Sequence, residues 1–125
     1  MTYDKNLSPV GWYVVSYLLR FVELEDDKKD DDEARFLSWE NTILVRASTL
    51  EDAYEKGMSV ARANTNPYKG GTEGVPVQWK LLGITDVLPI YEELEDGAEI
   101  LWTERAPRKL KNLKQMVRRK GSFRQ

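Results

Sequence analysis

The chain has 125 residues, 41% hydrophobic and 32% charged, with four Trp and six Tyr, which fits one globular domain and leaves no room for two. It contains no cysteine and no histidine, which excludes disulfides, thiolate nucleophiles, the usual zinc sites and an imidazole base. The net charge of -2 hides an asymmetry: residues 1–103 hold 10 Lys+Arg against 20 Asp+Glu, whereas residues 104–125 hold 9 against 1.

An acidic body with a basic tail suggests an interaction tail, one that folds onto its own body, or one that reaches a neighbouring subunit. The opening residues "MTYDKNLSPVG" have neither the basic start nor the apolar stretch of a signal peptide. No apolar run approaches the length that spans a bilayer. The expectation is a cytoplasmic protein with an N-terminal arm at 1–10, one domain at 11–103 and a tail at 104–125.

In chain order, "GWYVVSYLLRFVEL" is dense in aromatic and β-branched residues and predicts a strand over 12–24. Tyr13, Val15, Tyr17, Leu19 and Phe21 form an unbroken apolar face, the alternate face carries Ser16 and Arg20, and the first is the core candidate. "EDDKKDDDE" cannot be buried and reads as a solvated, mobile hairpin loop. It lacks the spacing and glycine of a calcium loop. "RFLSWENTILVRA" is a second strand, antiparallel to the first because the connection is too short for a crossover.

"STLEDAYEKGMSVARAN" predicts a helix. Ser48 with Glu51 fits a capping box, and Leu50, Ala53, Tyr54, Met58 and Ala61 make one apolar stripe. Gly57 lies on that stripe, where its cost in helix propensity suggests close approach to the sheet. "NTNPYKGGTEG" is a turn-filled loop, a third strand covers 77–86 with Pro89 ending its extension, and a fourth covers 98–103 after a turn at Asp96 and Gly97. The fold expected is α+β: a four-stranded, mainly antiparallel sheet in the order β-β-α-β-β with one helix packed on one face. A basic C-terminal helix is expected to begin near Pro107, with Leu110, Leu113, Met116 and Val117 along one side and Gly121 as its stop.

The blocks "WYVVSYLLRFVE", "ENTILVRASTLEDAYEKG", "NPYKGGTEGVPVQWKLLGITDV" and "ELEDGAEILW" resemble, in order and spacing, a family of small bacterial proteins known as domain of unknown function 4288. The resemblance covers most of the chain and carries no catalytic or binding residues with it. Against the family's pattern, the acidic insertion before Ala34 and the tail after Thr103 look like additions.

Three sets of residues invite chemistry. Glu40, Asp86 and Glu99 are the carboxylates from which an acid/base pair could be drawn, given burial or a close neighbour. Trp39, Tyr68, Trp79 and Trp102 serve either as core or as the floor of a pocket or interface, and Arg46, Tyr68 and Trp79 are the residues to inspect for a small-molecule site. The glycine-rich "NPYKGG" follows a helix and precedes a strand, the reverse of a phosphate loop. In the tail, Lys109, Lys111, Leu113, Lys114, Val117, Arg118 and Arg119 are the candidate partner-binding residues.

With no cofactor fingerprint or metal-ligand pattern, the expected function is a non-enzymatic interaction module for a protein partner, of the immunity or inhibitor type, possible also as a homodimer. Alternatives are nucleic-acid binding through the tail, sequestration of a small molecule, and a carboxylate-dependent hydrolase. Membrane binding is disfavoured, because the tail's apolar stripe is narrow and carries no Trp.

Overall fold

A computed structural model describes residues 4–71 and 73–124. Residues 1–3 of the expected N-terminal arm, Thr72 of the glycine-rich loop and Gln125 of the tail lie outside the described residues. Four strands, β1 (Trp12–Glu23), β2 (Ser38–Arg46), β3 (Tyr68–Gly70) and β4 (Val75–Pro89), form one sheet in the order β2-β1-β4-β3. Every pairing is antiparallel. One helix, α1 (Leu50–Ala63), lies across the sheet, and a short helix, α2 (Leu110–Met116), stands in the tail.

β1 occupies a central position because it has the most apolar surface to bury. Tyr13, Val15, Tyr17 and Leu19 are buried on the side facing α1, where Val45, Ala47, Ala53 and Ala61 join them. At about 1.5–3 kcal/mol for each large side chain, these residues fix which face the helix covers. The opposite face is not purely solvated, since Val14 and Val22 are buried there too.

α1 begins one residue later than its capping signal implied. The Thr49 hydroxyl, not that of Ser48, accepts the N–H of Asp52 at 3.0 Å, and Asp52 accepts the N–H of Ser48 at 3.3 Å in return. The buried side of α1 is Ala53, Gly57 and Ala61. Tyr54 is exposed, so the stripe is narrower than the apolar spacing suggested. Gly57 is the point of closest approach, because a Cβ there would lie 2.4 Å from Cγ1 of Val15.

β4 departs from strict alternation. Its register on β1 shifts twice, between Ser16 and Tyr17 and between Leu18 and Leu19, leaving Thr85 and Leu82 opposite no residue. These bulges keep Leu81, Ile84 and Val87 all against the helix-side core, while Leu82 is turned out to solvent.

Two assignments are corrected. Residues 98–103 form no strand; the fourth strand is Tyr68–Gly70, inside the segment expected to be loop. The local hairpin through Gly71 (φ 72°) and Gly74 (φ 64°) brings this segment onto β4 at small loop-closure cost. Residues 98–103 instead follow a turn whose Ala98 N–H bonds to Glu95 O, and Ile100, Leu101 and Trp102 stay exposed.

The acidic segment after β1 is solvated as expected, but it is folded rather than open. Four successive turns run from Glu23 to Ala34, and Arg20 ties them down with a hydrogen bond to Lys29 O at 2.6 Å, an ion pair to Asp30 at 3.6 Å and a guanidinium 4.7 Å from the Phe36 ring. The arm is also anchored. Buried Ser8 accepts the N–H of Trp12 at 3.1 Å, donates to Ile90 O and takes the Tyr13 hydroxyl on its own N–H at 3.0 Å.

Candidate functional site: an aromatic surface at the open end of the sheet

The helix is shorter than the strand beneath it. Along α1, Ala53 packs over Tyr13 and Val15, Gly57 over Val15, and Ala61 over Tyr17 and Leu19. The helix then stops, with Asn64 as its C-cap, whereas β1 continues through Phe21 to Glu23. The end of the sheet on the helix side is therefore not covered by α1.

Aromatic residues collect there for a reason visible in the register. Phe21 pairs with Trp79, Trp39 pairs with Leu19, and Tyr68 pairs with Val77, so all four aromatics project from the same face. The Trp39 and Trp79 rings stack with centroids 4.5 Å apart, and Phe21 meets Trp79 at 5.3 Å. Trp39 remains 54% exposed and Tyr68 47%. Stacking accounts for how the rings sit, but such exposure of large aromatics is unusual for core residues.

Beside Phe21 the surface dips into a depression of about 460 Å³, floored by Val75, Val77, Tyr68 and Gly70. The charged residues lining it are Glu23 and Glu73. A second hollow that shares Phe21 and Glu23 is lined by Asp26 and Lys28 of the acidic segment and by Arg35 and Leu37 after it. The first depression thus has an apolar, aromatic floor and a rim of carboxylates, suited to an apolar segment that carries cations, while the second carries charges of both signs.

Of the three residues singled out for a pocket, Tyr68 and Trp79 lie at this surface and Arg46 does not. Arg46 sits at the far end of β2 with its guanidinium 4.6 Å from the Trp12 ring, and its carbonyl accepts from Lys56 Nζ. Phe21 and Trp39 are the members that sequence reading assigned elsewhere, Phe21 to the core and Trp39 only to a general set of aromatics. Their signal was the mismatch between a 12-residue strand and a helix of 14 residues at 1.5 Å per residue.

The carboxylates are not gathered. Glu40 pairs with Leu18 on one side of β1, Asp86 pairs with Ser16 on the other, and both are exposed. Glu99 lies outside the sheet, with its N–H bonded to Glu92 at 2.7 Å. Among the described residues no three carboxylates are placed to hold a metal ion, and no helix is long and apolar enough to cross a membrane.

The tail residues stand apart from the body. α2 spans only seven residues, starts after Lys109 rather than at Pro107, has no side-chain cap and packs on no other element. Leu113 is 40% exposed and Val117 79%. Lys111 and Lys114 lie on the helix, Lys109 and Val117 at its ends, and Arg118 turns back over Phe123, 4.9 Å from the ring. Arg119 leads into a short 3-10 turn, Lys120–Phe123.

No curated protein and no solved structure matches this chain. The family model described as a domain of unknown function (DUF4288) matches residues 12–102, from the first residue of β1 to the exposed Trp102. With that match spanning most of its length, the chain belongs to the DUF4288 family.

Proposed function

We propose that this domain is a protein-binding module whose contact surface is the open end of the sheet, and that its partner is a segment combining apolar side chains with Lys or Arg. The observation that carries the reading is the exposed Trp39, stacked on half-buried Trp79, beside a depression rimmed by Glu23 and Glu73. Trp and Tyr dominate interface hot spots because they bury large area with few rotors, and a surrounding rim of one charge selects partners of the other. The C-terminal end of α1 points toward the same end of the sheet, and the negative end of its dipole favours cations there. An inhibitor or immunity protein that masks a basic site on its target is one role such a surface would serve.

The test is a tryptophan-fluorescence titration of the full chain, kept dilute, with an amphipathic leucine–lysine peptide and its leucine–glutamate counterpart. The lysine peptide should give a saturable change that weakens as salt rises and is lost in Trp39→Ala. No response, or an equal response to both peptides, would sink the proposal.

A further inference from the structure

Resting on that reading, we infer that the segment which fits the aromatic surface is the tail of a second copy of this chain, so that two copies exchange tails across a two-fold axis. The tail has the required chemistry. Leu110, Leu113, Met116 and Val117 are exposed, and Lys109, Lys111, Lys114, Arg118 and Arg119 surround them. The charges match in both sign and scale, since residues 104–125 hold 9 Lys+Arg against 1 acid and the body holds 20 acids against 10 bases.

Geometry favours a neighbour's surface over the chain's own. The depression is lined by Val75 and Val77, at the start of β4, while the tail departs after Pro89 at the other end of that strand. At about 3.3 Å per residue the two points are roughly 40 Å apart. Residues 91–102 do not close this distance, because they fold back: the Tyr91 and Trp102 rings meet with centroids 5.6 Å apart. Residues 103–109 then reach at most about 25 Å when fully extended. Leu110, at the start of the stripe, therefore stops short of its own aromatic surface while that ring contact holds, and α2 extends only about 10 Å further. In the structure α2 packs on no element of its own body, whereas the whole stripe from Leu110 to Val117 can lie on a partner's surface. Reciprocal exchange uses both surfaces and closes the assembly as a dimer, whereas one-way exchange would leave an open chain of copies.

Sedimentation velocity over a wide concentration range tests this with the full chain, the double tail variant Leu113→Glu/Val117→Glu, and Trp39→Ala. Glu23→Lys/Glu73→Lys serves as a second surface variant that leaves the packed aromatics intact. The full chain should dimerise, and each variant should weaken the dimer by about thirty-fold or more, the scale of a hot-spot loss. The decisive sample is an equimolar mixture of the tail variant and Trp39→Ala. Neither assembles alone, yet one retains an intact surface and the other an intact tail, so the mixture should form a one-to-one complex. A dimer indifferent to all three variants overturns the inference. So does a monomer whose tail binds a generic duplex at about 0.15 M salt, which would assign the tail to nucleic acid. If the full chain is monomeric but still binds the leucine–lysine peptide through Trp39, the tail exchange fails and the binding module stands. If the peptide is ignored as well, both fall.

Discussion

Gly57 occupies the place where α1 crosses β1, and a methyl group there would meet a side chain with little freedom to yield. Val15 is fully buried and β-branched on the central strand, and the added Cβ would fall 2.4 Å from its Cγ1 and 3.1 Å from its Cβ. Overpacking of this kind costs about 1–3 kcal/mol, against a gain of about 1 kcal/mol in helix propensity. Gly57→Ala should therefore lower stability by up to about 2 kcal/mol in urea denaturation. Ser59→Ala, at an exposed position on the same helix, should raise it by a few tenths of a kcal/mol. A stabilised Gly57→Ala would show that helix and sheet can separate without penalty. Close approach at Gly57 was legible from its position on the apolar stripe. The role of Ser8 was not, because Trp12, Tyr13 and Ile90 come together around it only when the arm meets both β1 and the end of β4. A hydroxyl that bonds across 82 positions leaves no local pattern to read.

At the scale of elements, the sequence shows most clearly where local rules and packing agree. The dense strand, the hairpin partner and the helix were legible from period and composition. The cap was displaced by one residue, because Ser48 and Thr49 are both good N-caps and both stand three residues before an acid. The geometry makes a sharp distinction: Thr49→Ala should cost about 1 kcal/mol, whereas Ser48→Ala should stay within about 0.5 kcal/mol, both measured by thermal unfolding. The reverse ranking would place the helix start at Ser48. The fourth strand was misread for a different reason. Residues 98–103 have the composition of a strand, but composition does not supply a partner, whereas three residues beside a glycine hairpin need none beyond the strand they are about to enter. The aromatic surface was half legible for the same reason. Tyr68 and Trp79 stood out individually, but that they share a face with Trp39 and Phe21, beyond the reach of α1, depends on a register set by three pairings among four strands.

At the scale of the whole molecule, the acidic body and basic tail are joined with no packing between their helices and strands among the described residues. α2 packs on no other element, and every described residue from Glu99 onward is exposed. Removing residues 104–125 thus takes nothing from the core, and at dilution the urea midpoint of a chain ending at Thr103 should equal that of the full chain, to within about 0.5 kcal/mol of stability. An isolated helix of seven residues is shorter than the roughly 12–15 needed for stability in water, so a tail that is helical in use must borrow stability from a surface. Concentration then separates a passive tail from an exchanging one. A contact made only between folded copies stabilises them by mass action, so the full chain's midpoint should rise with protein concentration while the shortened chain's stays fixed. High salt should remove much of that rise, because the cations of the tail and the carboxylates of the rim are exposed and screened. The Trp39–Trp79 floor retains the part that salt does not reach. A midpoint independent of concentration in both chains would leave the tail no role in the fold or its assembly, and would return its charge to a partner of another kind.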